Sequence, residues 1–393
     1  MKALLITEQY IDIHKDGCYC NYALYGTLQN MSVLGNLYIA ANSQALGKPA
    51  SQPLDQKIEF VFPQNVAFLH PTNRKLCDYW KNSQYNYKLL KNLIPSVDLV
   101  ILYLPLANSV NILRIAKHYG VPILSFLVAC PWDSLRNHHR LLARMMAPIN
   151  FLSTRYTVKH SDYVHYVTKS FLQHRYPTDG IALGCSDTNL KVVDPSILSW
   201  RLKNVNTRKE GDRIRLVTTA NIDVRYKGHE FVIRALAELK KRGYNNYCYE
   251  LIGGGNGKYL RSLCEHLHIE DQVFFLGRKT SEEVLDILRD ADIYIQPSLQ
   301  EGLPRSVVEA MSMALPCIGF GTGGIPELLD REFVVKKRNI EGIIQCVIRL
   351  QNVETYIQVA ERNFLVSCDY EHTKLAKQIQ DFFENIKNDI ERS

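Results

Sequence analysis

Two carboxylates, Glu301 and Glu309, stand in the stretch Pro297-Ser298-Leu299-Gln300-Glu301-Gly302-Leu303-Pro304-Arg305-Ser306-Val307-Val308-Glu309-Ala310. An apolar run, Ile293 to Ile295, leads into it, and a helical pattern through Val307, Val308, Met311 and Met313 leads out. Pro304 suits the first turn of a helix, where a missing N–H costs nothing. Glu301 then falls on the loop at a strand's C-terminal end. Glu309 lies about one and a half turns into the helix and faces roughly the same way. Backbone N–H groups at Leu303, Arg305 and Ser306, next to Gly302, form an anion site at the helix start, to which Pro304 cannot contribute. A diphosphate held there, with a hydroxyl-rich group beside each carboxylate, describes a nucleotide-sugar. The plainer alternative is a helix-start Glu stabilised by the dipole and an exposed helix Glu.

A second cluster, Arg225-Tyr226-Lys227-Gly228, follows the strand-like Leu216 to Ala220. Fixed cations aimed at a departing phosphate would lower the barrier to sugar–phosphate cleavage. A solvated charge pair at a helix start is the alternative. Gly253-Gly254-Gly255-Asn256-Gly257 reads as a tight turn more than as a phosphate loop. Asp290-Ala291-Asp292 has the look of a metal-binding pair, but it falls at a helix end before a strand, at the wrong edge of a sheet. It reads as structural, and no His/Cys cluster has metal-ligand spacing.

The elements that must position these residues alternate strand and helix. Strands are predicted near 3–7, 35–40, 58–62, 98–104, 122–128 and 163–167, then near 214–219, 248–252, 272–276, 292–296 and 316–320. Continuous apolar strands between amphipathic segments indicate parallel sheets covered on both faces. Ligands in such sheets bind at the strands' C-terminal ends. The expected domains are 1–190 and 213–370, joined by a polar linker at 191–212, with an amphipathic C-terminal segment at 371–393.

The strand before Glu301, the carboxylate pair, Leu315-Pro316-Cys317-Ile318-Gly319 and Gly323-Gly324-Ile325-Pro326-Glu327 resemble the family-4 retaining glycosyltransferases of GT-B fold, of the polysaccharide and capsule type. The likeness extends through Lys227-Gly228, Leu251-Ile252-Gly253-Gly254-Gly255 and Val273 to Arg278, and covers roughly residues 213–330. It implies two doubly wound, Rossmann-like α/β domains facing across a cleft, with the C-terminal helix returning to the first, acceptor-binding domain. It also implies that Lys227 binds phosphate, Glu309 the ribose hydroxyls and Glu301 the donor sugar, and that backbone near Gly277 and Arg278 selects the base. A glycine loop beside the donor phosphates falls at Gly17. The chain departs from the pattern twice. Asn221 stands where the family usually has an arginine, which leaves Arg225 to supply the charge or the site weaker. The loop after the strand at 122–128 has no histidine at the expected place, so Asp133, or His138 or His139 reaching in, is the candidate there. The family needs no metal for catalysis, and no cofactor is implied.

Ten scattered cysteines fit reduced thiols in a cytoplasmic protein. The N-terminus reads as a strand and not as a signal peptide, and no apolar run reaches the ~20 residues that span a bilayer. Residues 1–190 hold 18 Lys and Arg against 11 Asp and Glu, and 191–393 hold 29 of each, so the net +7 lies in the first half. Ser134 to Ser161 contains no acidic residue, and carries Arg136, Arg140, Arg144, Arg155 and Lys159 among leucines and methionines. Such a stretch suits an anionic membrane surface, on the inner face for a cytoplasmic protein. The alternative is a packed helix with a basic outer face, and Pro148 is expected to break it midway.

These readings point to a metal-independent, retaining glycosyltransferase of hexosyltransferase type. It would move a sugar from a nucleotide-sugar to a glycan or lipid-linked acceptor in envelope or capsular polysaccharide synthesis, with no nucleic-acid partner. The rivals are a non-catalytic nucleotide-sugar-binding or scaffold protein of the same fold, and a nucleotide-sugar 2-epimerase.

Overall fold

The computed structural model describes residues 1–14, 17–20, 22–44, 52–53, 59–61, 76–138, 140–207, 209 and 211–392. The chain divides into two compact units: Met1–Asp187 with Leu375–Ser393, and Thr188–Lys374.

In the second unit six strands form one parallel sheet in the spatial order Val273–Gly277, Tyr247–Ile252, Ile214–Thr219, Ile293–Gln296, Cys317–Phe320, Val334–Val335. Tyr247–Ile252, Ile293–Gln296 and Cys317–Phe320 are buried along their whole length. A strand covered by helices on both faces is mostly apolar, which is why these runs do not alternate; Glu250, paired with Arg215, and Gln296 are their polar members. The order reverses between Ile214–Thr219 and Ile293–Gln296, the switch point of a doubly wound sheet. Those two strands pair only at Leu216–Ile293 and Val217–Tyr294, whereas Ile214–Thr219 pairs with Tyr247–Ile252 over its full length. The sheet therefore splays at the switch point, toward its C-terminal edge.

The covering helices begin where their sequences cap them. Thr280 and Glu283 form a reciprocal capping box on Ser281–Asp290. Asn339 and Asn352 cap Ile340–Arg349 and Val353–Ser367. The stretch 191–212, expected as a linker, contains the helix Pro195–Asn206, capped by Asp194. Its Arg201 is buried and donates to the carbonyl oxygens of Leu288, Ala291 and Met313. A buried guanidinium that bonds carbonyls docks this helix onto the second unit, although its sequence shows no apolar face.

In the first unit a parallel sheet runs Glu59–Val61, Asn36–Gln44, Lys2–His14, Leu99–Leu104, Ile123–Leu127, Tyr163–Tyr166, Ile181–Gly184. Lys2–His14 also turns back on Gly17–Cys20, which pairs antiparallel with it. The last helix, His372–Arg392, contributes Phe382 and Phe383, whose rings face His165. Burial pushes the His165 pKa down to about 4.

The helix Leu141–Lys159 is continuous and contains Pro148, against the expectation of a break. Pro148 is exposed, and it leaves the Arg144 carbonyl without its usual intrahelical donor.

Candidate functional site

The switch point of the second sheet sets two loops side by side. One leaves Thr219 and reaches Lys227, and the other leaves Gln296 and reaches Glu301. The Leu299 N–H donates to the Tyr226 carbonyl at 2.7 Å and ties the loops together. Gly228 has φ +75°, and a Cβ there would run into the Pro297 carbonyl. Only glycine allows both the left-handed backbone and this close approach.

Lys227 Nζ donates to Glu301 Oε1 at 2.7 Å. Their side chains are 23% and 10% exposed, so solvent screens the pair less than it would at the surface. Gln296 Nε2 donates to the same Glu301 oxygen at 2.9 Å and to Ser298 Oγ at 2.8 Å. Tyr294 donates to Gln296 Oε1 at 2.7 Å, and Ser306 Oγ reaches the same atom at 3.3 Å. The Glu301 carboxylate is thus aimed by side chains whose positions are set by a buried strand. On its other flank Gly323, at φ +58°, approaches the Glu301 and Gly302 carbonyls too closely for any Cβ. The Gly324 N–H donates to the Gly302 carbonyl at 2.6 Å.

The helix Arg305–Ser312 starts at Pro304 with no side-chain cap, so its first N–H groups remain for a ligand or water. Glu309 lies one turn beyond Arg305. Burial raises its pKa, and the Arg305 guanidinium opposes that rise. The Glu309 charge also acts on the Tyr294 hydroxyl, which belongs to the network behind Glu301. Lys227, Glu301, Ser306 and Glu309 are thereby brought to one edge of one sheet. Gly302 and Leu303 belong to the same loop, with Leu303 buried.

Other candidates are placed differently. Arg225 does not join Lys227. Its guanidinium lies 3.4 Å from the centre of the Tyr259 ring, and Tyr259 donates to Glu230 at 2.6 Å. Asn221 is exposed, and its Oδ1 accepts from the Asp223 N–H at 3.0 Å in a local turn. Asp223, which the sequence did not single out, accepts from the N–H groups of Asn256 and Gly257 at 3.0 and 2.9 Å. Those N–H groups of the glycine turn are thus engaged by protein. Gly277 ends its strand at φ +72°, and the exposed Arg278 reaches toward Gly254. Asp292 accepts from the Arg215 N–H at 2.6 Å, a sheet-edge role for the Asp-x-Asp.

In the first unit Asp133 is buried in the short helix Pro131–Arg136 and ion-paired with Arg175 at 3.1 Å. Its carboxylate is engaged in holding that helix. His138 accepts from the Arg140 N–H through Nδ1 at 3.1 Å, while His139 and Asp16 lie outside the described residues. Gly17 pairs with His14 in the antiparallel turn of the first strand. Sequence reasoning passed over Glu8, at the C-terminal side of the first sheet's switch point. It accepts from the Ala107 N–H at 2.9 Å, and burial raises its pKa to about 7 in spite of that bond. An acid in the central strand, just past its last pairing with Leu99–Leu104, was the available signal.

Residues 201–363 match the family model of the glycosyl transferases group 1. CapJ of Staphylococcus aureus is 27% identical over 237 residues, 60% of this chain and 58% of that protein. The colanic acid biosynthesis glycosyltransferase WcaL (a putative assignment) of Salmonella typhimurium is 29% identical over 156 residues, 38% of each chain. The chain thus spans between about two fifths and three fifths of the length of these relatives. Among solved structures, sucrose-phosphate synthase from Thermosynechococcus elongatus superposes with a TM-score of 0.69 at 12% identity, covering 98% of this chain and 99% of that one. HepE of Anabaena, solved with UDP-glucose, superposes at 0.62 with 14% identity, covering 98% and 100%. The chain therefore has the GT-B fold, and its residues 201–363 match the model of the group 1 glycosyl transferases.

Proposed function

We propose that the protein transfers a sugar from a nucleotide-sugar donor to an acceptor hydroxyl, with retention of configuration and without a metal. The observation that carries this reading is the Lys227–Glu301 pair at the splayed switch point, next to an uncapped helix start. On donor binding Lys227 exchanges the Glu301 carboxylate for the distal phosphate. As the sugar–phosphate bond breaks, negative charge grows on that phosphate. A fixed cation and oriented N–H groups stabilise it more in the transition state than in the ground state. Glu301, released, accepts from donor-sugar hydroxyls, and Glu309 accepts from ribose hydroxyls. The protein supplies orientation and leaving-group stabilisation more than a strong base. HepE, of the same fold, was solved with UDP and with UDP-glucose, which is the donor chemistry proposed here. The name of WcaL, a colanic acid biosynthesis glycosyltransferase, supports an acceptor that is a glycan or lipid-linked precursor of an envelope polysaccharide. Cys130, Cys185, Cys248, Cys264, Cys317 and Cys346 are buried thiols, in keeping with a cytoplasmic site of action.

A non-catalytic binder of the same fold is the second reading. It is favoured by Asn221 in place of arginine and by Arg225 stacked on Tyr259, which leave one cation at the pair. Incubating the purified protein with a panel of nucleotide-sugars separates the readings. Slow donor hydrolysis supports transfer, an isomerised sugar supports an epimerase, and binding without turnover supports the scaffold.

A further inference from the structure

The helix Leu141–Lys159 is turned inside out relative to an ordinary surface helix. Its inward face is mostly small and partly hydroxylated: Ala147, Thr154, Thr157 and Val158 are its buried residues, and Phe151 packs on Trp132 and Tyr176. Thr157 donates to Ser109 at 2.9 Å, a bond to the neighbouring helix Ser109–His118. Most of its other large apolar residues are exposed. Leu141, Leu142, Met145, Ile149, Leu152 and Tyr156 are between 45% and 71% exposed. They recur at spacings of three and four residues, so they form one stripe, about 22 Å long at the helical rise of 1.5 Å per residue. A surface helix of a water-facing protein normally shows the opposite pattern. A stripe this long on one element marks a surface that is covered by something else.

Charge identifies the cover. Arg140, Arg144, Arg155 and Lys159 are exposed on the same helix, and no acidic residue occurs from 134 to 161. The flanking acids are neutralised within the unit, Asp133 by Arg175 and Asp162 by Lys117. A second copy would bring one cationic rim against another. An anionic, apolar surface satisfies both the stripe and the rim.

We propose that this face of Leu141–Lys159 docks on the surface of an anionic phospholipid bilayer. The stripe enters the headgroup–acyl boundary and the arginines meet lipid phosphates. The helix lies in the plane of the surface and does not cross it, and no helix among the described residues is long and apolar enough to span a membrane. The inference is independent of the sugar chemistry, because none of these residues belongs to the Lys227–Glu301 site.

The test is flotation of the full chain with vesicles of phosphatidylcholine, and of phosphatidylcholine mixed equally with phosphatidylglycerol. Binding is expected on the mixed vesicles and is expected to fall steeply between about 0.05 and 0.5 M salt as the Debye length shortens. Arg140→Gln with Arg144→Gln should lower binding about 25-fold, roughly fivefold for each lost cation. Met145→Asp with Leu152→Asp should lower it by about tenfold or more, since the inserted apolar area is lost. Both double variants should keep the wild-type melting temperature and donor turnover, because the altered side chains are exposed and outside the site. Absence of binding, or equal binding to neutral and mixed vesicles that neither double variant changes, would overturn the proposal. So would a dimer in vesicle-free sedimentation that Met145→Asp with Leu152→Asp dissolves, which would assign the stripe to a second copy.

Discussion

Glu309 shows how one residue's surroundings define its task. Its carboxylate is costly to hold where it is, since burial raises its pKa and Arg305 offsets this only in part. A charged acceptor kept in a half-buried position at a ligand edge is what ribose hydroxyls require. Glu309→Ala should therefore weaken nucleoside diphosphate binding by about 1.5–3 kcal/mol, the range for hydrogen bonds to a charged group. Calorimetry on the folded variant reads this directly, and unchanged affinity would remove Glu309 from the ribose role. Glu8 makes a prediction of a different kind. Its pKa is raised from 4.5 to about 7, so the folded state keeps a proton that the unfolded state has lost. The penalty is absent below pH 4.5, grows as pH rises through 7 and is complete above it. Glu8→Gln should match the wild type near pH 4.5 and gain on it by pH 8, by at most about 3.5 kcal/mol at 1.4 kcal/mol per pKa unit. Melting curves at several pH values decide it, and a variant that loses stability most at pH 8 would contradict the assignment.

At the scale of elements, the site depends on loops clamped to one another more than on any one side chain. Asp223 holds two N–H groups of the glycine turn, and Gly228 packs on the Pro297 carbonyl. Gly228→Ala should destabilise the second unit by about 1–3 kcal/mol through backbone strain and clash, and should reduce nucleotide affinity as the Lys227 loop shifts. A variant with wild-type melting and affinity would show that the two loops move independently. Much of this level was legible in the sequence. Strands such as Leu99–Leu104 and Ile123–Leu127 are apolar or nearly so along their length because both faces are covered. Ile181–Gly184 and Val334–Val335 escaped notice because they are short edge strands, the former half-exposed, without an apolar run. The helix Pro195–Asn206 was hidden because it docks through a buried arginine. The residue types at Lys227 and Glu301 were readable. Their pairing through Gln296, and the capture of Arg225 by Tyr259, depend on contacts between residues distant in sequence and were not.

At the scale of the whole molecule, charge and chemistry lie in different units. The first carries +6 of the net +7 and the outward apolar helix, and the second carries Lys227 and the carboxylates Glu301 and Glu309. The two proposals divide accordingly, the bilayer contact falling in the first unit and the donor chemistry in the second. The central claim is sugar transfer with retention at the Lys227–Glu301 site. The most direct measurement is proton magnetic resonance of the sugar first released from a turned-over nucleotide-sugar, for the wild type and for Lys227→Ala. The account predicts release in the same anomeric form as the donor. It also predicts that Lys227→Ala slows turnover by about a hundredfold or more, the scale of a transition-state charge contact, with little change in melting temperature. An inverted first product, or turnover that falls less than about threefold in Lys227→Ala, a change worth roughly 0.7 kcal/mol, would contradict it.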